Sequence, residues 1–250
     1  MKKYLYTIII AASALTISCQ KDKNSYKSTQ TGSTKISYFA QAKTINGVKS
    51  SLESKFLKLN ATVDSSAISP AVTWNSATIF IDQISFNGSL GNGTVDSTIT
   101  VQKKVDMLSS NPYVGDIQLP VGSYKDVKSR LLMRKSQHSD LTFELNGTFT
   151  NSKGILTSLY IGNSDLFNVN LNVNNVVVEK SSTYNMVFNF ELNKVLAGIT
   201  IQQLENAYKD PNRVNAVYIS SSVSIDLYNK IKSNWENLSS VYITKDGKQL

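Results

Sequence analysis

Four asparagines in the second half of the chain stand at alternate positions, and their amides could bind a ligand. Asn168, Asn170, Asn172 and Asn174 are separated by apolar residues. Side chains two residues apart on a β-strand point to the same face, so this spacing predicts a row of amides. Amides both donate and accept hydrogen bonds, which suits sugar hydroxyls. We therefore treat the four as candidate glycan contacts, with an ordinary polar sheet face as the alternative.

The single histidine lies in a segment that superficially contains the residue types of a hydrolase triad. Gln137, His138, Ser139 and Asp140 are consecutive in the chain. Neighbouring residues in a turn cannot point at one another as a nucleophile, a base and an orienting group must. The segment therefore predicts an exposed turn before a strand that starts near Leu141.

Metal and carboxylate chemistry have little support in the sequence. One histidine and one cysteine do not suffice for a typical zinc site. Acidic residues are scattered singly, and Asp64 and Asp96 lack the acidic and amide series that calcium loops use. We expect no metal, no cofactor and no catalytic residue. Two carboxylates that meet across a cleft only after folding are the remaining enzymatic alternative.

The only cysteine follows an apolar segment at the start of the chain. Lys2 and Lys3 precede an apolar run over residues 5–17, and Cys19 comes directly after Ser18. A charged start followed by such a run is typical of a secretory signal. The run of about thirteen residues is shorter than the roughly twenty that a membrane-spanning helix needs. We therefore expect a removable signal peptide at residues 1–18.

The residues that lead into Cys19 resemble the lipobox of bacterial lipoproteins. Leu15, Thr16, Ile17 and Ser18 precede the cysteine, with Thr16 where leucine is commonest in that motif. The resemblance implies lipidation of the Cys19 thiol and cleavage just before it. Two or three acyl chains hold a protein on a membrane durably, whereas a single chain holds it only marginally.

The residues after Cys19 resemble the surface-export signal of lipoproteins from Bacteroidota. Gln20, Lys21 and Asp22 fit its start, although Lys23 and Asn24 replace further acidic residues. The resemblance implies an anchor in the outer membrane and display at the cell surface, with the periplasmic side as the alternative. Residues 19–35 are polar and predict a flexible tether.

Positive charge is concentrated at the start of the chain. The formal net charge is +8, from 26 basic and 18 acidic residues. Ten basic and two acidic residues lie at or before residue 58, so residues 59–250 carry sixteen of each. The excess charge indicates a solvated linker close to anionic lipid headgroups, because the folded part is formally neutral. We expect a membrane partner through Cys19 and no nucleic acid.

From residue 36 the hydrophobic pattern has a period of two, which is typical of strands with one exposed face. The predicted strands cover residues 57–63, 73–86, 95–101, 105–108, 116–119, 124–133, 143–146, 156–161, 167–173, 176–178, 184–192, 216–220 and 241–244. Predicted turns contain Asn-Gly, Pro-x-Gly or Lys-Gly, at residues 87–88, 92–93, 120–122, 146–147 and 153–154. Short strands joined by tight turns favour an antiparallel β-sandwich, with a barrel as the alternative.

Two short helices are predicted in the C-terminal segment, over about residues 194–250. Thr200 and Gln203 have the spacing of a capping box, and Asp210-Pro211 ends the first helix. The second covers about residues 224–238. Its apolar stripe, which we expect to pack against the sheet, consists of Leu227, Tyr228, Ile231, Trp235 and Leu238.

The body of the chain resembles the uncharacterised β-sandwich lipoproteins of Bacteroidota, loosely over residues 57–238. Residues 105–108, 119–124, 184–192 and 219–228 carry the resemblance. It implies a transthyretin-like or immunoglobulin-like sandwich with no catalytic residues.

The combined expectation is a mainly β protein, an antiparallel β-sandwich with two short C-terminal helices, in a single domain over residues 36–250. We expect a lipid-anchored, non-enzymatic binding or assembly module of the cell envelope, with an envelope protein or a glycan as partner. The alternative is a surface glycan-binding accessory lipoprotein. Glycan capture needs exposed aromatic rings beside the asparagines. This hypothesis fails if Trp74 and Trp235 are both buried and no tyrosine flanks the face that carries the asparagines.

Overall fold

The computed structural model describes residues 32–43, 70–138, 140–211 and 216–250. Strands account for 62% of the described residues and helices for 11%, so the prediction of a mainly β fold is confirmed. The predicted signal peptide, Cys19, most of the tether and the predicted strand at residues 57–63 lie outside the described residues.

The described residues form twelve strands and two α-helices. In chain order the strands are β1 (Ser33–Lys43), β2 (Val72–Leu90), β3 (Gly93–Asp106), β4 (Tyr113–Pro120), β5 (Gly122–Met133), β6 (Phe143–Thr150), β7 (Leu156–Asn163), β8 (Phe167–Val178), β9 (Tyr184–Glu191), β10 (Ala216–Ile219), β11 (Ser239–Lys245) and β12 (Lys248–Gln249). The helices are α1 (Ile201–Glu205) and α2 (Ile225–Asn237), and a 3-10 turn covers Leu192–Lys194.

These strands form two sheets. The five-stranded sheet has the order β12-β11-β9-β1-β4, and the seven-stranded sheet has the order β10-β7-β6-β2-β5-β8, with β3 also paired to β2. Most pairs are antiparallel, but β1 pairs with β9 and β10 pairs with β7 in parallel. The prediction of antiparallel pairing is therefore wrong for these two pairs. Their strands are far apart in sequence, so no tight hairpin links them.

Two of the predicted turns lie inside strands instead. Asn87-Gly88 belongs to β2 and Asn146-Gly147 belongs to β6. In the second case glycine is required by space, because a Cβ atom on Gly147 would lie 2.8 Å from the backbone oxygen of Thr73. The predicted turn at residues 153–154 lies between β6 and β7, and those at residues 92–93 and 120–122 coincide with the junctions of β2 with β3 and of β4 with β5.

Tyr38 of β1 joins the buried sides of the two sheets. Its side chain is fully buried, and its hydroxyl donates to the backbone oxygen of Ser85 at 3.4 Å and accepts from the Ser129 hydroxyl at 3.0 Å. Ser85 and Ser129 lie on β2 and β5 of the other sheet. Burial raises the pKa of Tyr38 well above its ordinary value, so the hydroxyl stays protonated.

Helix α2 packs its predicted stripe into the core. Leu227, Tyr228, Ile231, Trp235 and Leu238 are all buried. The Trp235 ring stacks on Phe143 of the seven-stranded sheet at 3.9 Å between centroids, and on Phe190 of the five-stranded sheet at 5.5 Å. One helix residue therefore contacts both sheets. In α1, Thr200 and Gln203 form the predicted capping box.

Asp165, between β7 and β8, holds α2 from outside the core. Its Oδ2 atom accepts from the Tyr228 hydroxyl at 3.0 Å and lies 2.6 Å from Lys232 Nζ. The hydrogen bond with the Lys232 ammonium lowers the pKa of Asp165, against the opposing effect of partial burial. Burial and the adjacent carboxylate raise the pKa of Tyr228 to about 12. Within the described part of the chain, neither helix is long and apolar enough to cross a membrane.

Candidate functional site

The four asparagines lie on β8 as the alternation predicts. Asn168, Asn170, Asn172 and Asn174 are exposed. Phe167 and Val169, on the opposite face of the strand, are buried, and Leu171 and Val173 are partly buried. The apolar side chains hold one face of β8 against the core, and that packing fixes the amides on the outside.

The neighbouring strands extend this row into a wider polar surface. Asn172 lies opposite Lys128 of β5, which lies opposite Asn87 of β2. In the next row Asn170 lies opposite Arg130, which lies opposite Ser85. We call these six residues the amide face: Ser85, Asn87, Lys128, Arg130, Asn170 and Asn172. They surround a shallow depression of about 530 Å³.

Two cations stand at the centre of the amide face. Lys128 and Arg130 are exposed, and neither forms an ion pair with another described residue. Adjacent strands lie about 4.8 Å apart, so each cation has an amide or hydroxyl side chain on both sides. The face therefore presents an excess of hydrogen-bond donors, which complements an anionic or hydroxyl-rich partner.

Aromatic rings are absent from the amide face. Trp74 and Trp235 are only 9% and 1% exposed, and the β3 residues next in register, Asp96 and Thr98, are polar. The stacked pair formed by Tyr160 and Tyr218 lies on β7 and β10, with β6, β2 and β5 between it and β8. Among the described residues, the stacking rings that glycan capture by the Asn row requires are therefore missing from this face, so ring stacking does not support that form of the hypothesis.

The segment around His138 forms an exposed turn, as predicted. The backbone N–H groups of His138 and Asp140 donate to the Ser136 hydroxyl oxygen at 3.2 and 2.8 Å, and the next strand begins at Phe143. Ser139 lies outside the described residues. The hydrogen bonds among the described residues of this segment organise the turn itself.

Asp82 of β2 is a buried carboxylate that the sequence analysis missed. The residue is 1% exposed, and its Oδ1 atom accepts from Arg134 Nη2 at 3.0 Å. Its Oδ2 atom has no hydrogen-bond partner among the described residues. The signal was present in the sequence, because Asp82 directly follows the apolar residues 79–81 in a predicted strand, and a buried acid usually needs a partner.

Within the described residues, His, Cys, Asp and Glu side chains do not gather into a group of three that could hold a metal ion. A comparison of the chain with protein-family models, with curated proteins and with solved structures found no match. The features of this chain that bear on function are therefore the amide face, Asp82 and the sequence around Cys19.

Proposed function

We propose that the chain is a lipid-anchored protein of the cell envelope, with a β-sandwich domain that binds a partner through the amide face and does not act as an enzyme. Contacts across the core support the sandwich arrangement. Tyr38 hydrogen-bonds from one sheet to the other, and Trp235 contacts Phe143 and Phe190 on different sheets.

The anchor part of the proposal rests on the first residues of the chain. A short apolar run ends at Cys19, and polar residues then lead to β1, which begins at Ser33. Fully extended, this linker reaches on the order of 45 Å, enough to hold the domain clear of a membrane surface. We place the anchor in the outer membrane, with the domain at the cell surface.

The binding part of the proposal is carried by one observation. Two exposed cations, Lys128 and Arg130, lie between rows of amides and hydroxyls and have no ion-pair partner among the described residues. Monomeric surfaces usually intersperse charges of both signs. A partner with carboxylates would gain two charge-assisted hydrogen bonds there. We therefore propose an acidic partner in the envelope.

A glycan-binding accessory role remains the second candidate, in a restricted form. The amide rows favour it because they suit hydroxyl groups, but without rings the affinity must come from hydrogen bonds and charge. This form predicts binding to acidic glycans and not to neutral ones.

Removal of the two central charges tests the binding proposal. We expect Lys128→Gln with Arg130→Gln to weaken binding of alginate, a polymer of uronic acids, by about tenfold, equivalent to about 1.4 kcal/mol. Binding of the unaltered mature chain, kept in detergent micelles, should also weaken as salt rises, because salt screens exposed charges. Isothermal titration calorimetry measures both effects, with neutral dextran as the uncharged polymer.

The matched control removes two charges elsewhere on the surface. Lys153 and Lys248 are exposed and lie in the β6–β7 turn and in β12. Lys153→Gln with Lys248→Gln should leave alginate binding unchanged. An equal loss in both double variants, or dextran bound as tightly as alginate, would count against the amide face.

A further inference from the structure

We propose that the cleft beside Asp82 is a second binding site, which takes a neutral, polyhydroxylated ligand the size of a monosaccharide, with one ligand hydroxyl donating to the Asp82 carboxylate. The site is separate from the amide face and does not depend on the lipid anchor.

Two irregularities in strand pairing coincide at Asp82. Ile81 pairs with Met133 of β5 and Gln83 pairs with Leu132, so Asp82 is an extra residue in β2. On its other side β2 changes register with β3 at the same point, where Gln102 of β3 has a φ of 48°. Bulges bend a strand and re-aim its side chains, and they are common beside binding sites. Here the irregularities give the Asp82 carboxylate a position that the regular alternation of side chains along β2 would not give it.

The carboxylate is only half satisfied. The side chain of Asp82 is 2% exposed, and Arg134 Nη2 occupies Oδ1 at 3.0 Å. Oδ2 has no partner among the described residues. A buried acceptor without a donor is unfavourable, and an ionised carboxylate offers acceptor sites only. The ligand must therefore bring a donor to this atom.

The space next to Asp82 is of the right size and lining. The cleft has a volume of about 360 Å³, within the range of small-molecule sites. Phe80 supplies an apolar wall, Gln102 lines the cleft from β3, and Arg134 and His138 line it from the segment after β5. Apolar and polar groups side by side fit a sugar, which has C–H faces and hydroxyl edges.

The charged groups nearest Asp82 are paired with one another, which favours a neutral ligand at this carboxylate, whereas Lys135, which also lines the cleft, has no ion pair among the described residues. Lys104 Nζ lies 3.5 Å from both Asp140 and Glu144, so its charge is already compensated. Arg134 is likewise paired with Asp82. An incoming anion would compete with these carboxylates and an incoming cation would compete with Arg134. Ligand hydroxyl groups can hydrogen-bond to the ion pairs of Lys104 and of Arg134 without breaking either of them.

Access to Oδ2 requires a small rearrangement. The atom is closed to solvent, whereas half of the Arg134 side chain is exposed. The Asp82 carboxyl group turns together with the half-exposed Arg134 side chain, so that Oδ2 meets the ligand hydroxyl while the ion pair with Arg134 is kept.

Saturation-transfer NMR of the mature chain in detergent micelles tests the site, with glucose, galactose, mannose and N-acetylglucosamine as separate probes. At least one of these sugars should receive saturation from the protein. Asp82→Asn should weaken its binding roughly tenfold or more, because one hydrogen bond to a charged group is lost. Glu236→Gln, which makes the same change from carboxylate to amide at an exposed position of α2, is the matched control and should leave sugar binding unchanged.

A second variant covers the case in which Asp82→Asn does not fold. The Gln102 side chain is exposed on β3, so Gln102→Ala should preserve the fold and still reduce sugar binding. The proposal is overturned if none of the four sugars binds, if binding survives unchanged in the folded variants at Asp82 and Gln102, or if Glu236→Gln abolishes it.

Discussion

Replacing Trp235 with alanine is expected to lower the free energy of unfolding by about 3–5 kcal/mol, the range for removing a large buried aromatic side chain. Trp235 is 1% exposed and stacks on Phe143 and Phe190, one from each sheet. Its loss would leave a cavity where both sheets meet α2. The free energy of unfolding of a domain is typically only about 5–15 kcal/mol, so this single change removes a large share of the stability. Urea denaturation followed by far-UV circular dichroism measures the effect.

Two further variants in α2 serve as comparisons for the loss of stability in Trp235→Ala. Trp235→Phe should cost only about 1–2 kcal/mol, because a ring remains and the indole N–H has no acceptor among the described residues. Glu236→Ala alters the exposed neighbour and should be nearly neutral. If Trp235→Ala unfolds at the same urea concentration as Glu236→Ala, α2 does not hold the two sheets together.

The second large effect is expected from Gly147→Ala, with a loss of about 2–3 kcal/mol from overpacking. A Cβ atom at this position would lie 2.7 Å from Val72 Cγ1, 2.8 Å from the backbone oxygen of Thr73 and 3.0 Å from Trp74 Cε3. The Thr73 oxygen belongs to β2, which pairs with β6 at this point. This oxygen cannot move away from Gly147 without disturbing the hydrogen bonds between β2 and β6. Thermal unfolding and urea denaturation should both register the change.

Gly162→Ala is the matched control for Gly147→Ala. A Cβ atom on Gly162 would also meet an atom at 2.7 Å, but that atom is Leu141 Cδ1, the far end of a flexible side chain. Leu141 can change rotamer, so the loss should stay within about 0.5 kcal/mol. Equal losses in the two variants would show that the rigid backbone around Gly147 is not the cause.

Gly147 also explains one limit of prediction from sequence. Asn-Gly is a strong hairpin signal because both residues accept positive φ, and residues 146–147 were predicted as a turn on that ground. The glycine is instead selected by the close approach of β2, a contact between segments about seventy residues apart. A local pattern carries no information about such a contact.

Local patterns were sufficient where burial alternates cleanly. The apolar stripe of α2 and the alternation in β8 predicted which side chains face the core, and the capping box at Thr200 predicted the start of α1. The order of strands and the parallel pairing of β1 with β9 depend on contacts distant in sequence. Periodicity alone cannot supply them.

The candidate site was predictable only in part. The Asn row followed from its spacing, but its neighbours Lys128 and Arg130 reach it through the pairing of β5 with β8, which the sequence does not encode locally. Asp82 could have been noticed as an acid that directly follows apolar residues in a predicted strand. Its unpartnered Oδ2 atom arises from a bulge and from the position of Arg134, both products of the folded sheet.

The central claim is that this domain is held at a membrane by lipid on Cys19. Mass spectrometry of the N-terminal peptide, from protein extracted from bacterial membranes, tests it most directly. The account predicts a mature chain that begins at Cys19 and carries the added mass of its acyl groups. A mature chain that begins at another residue, or a Cys19 with a free thiol, would contradict it.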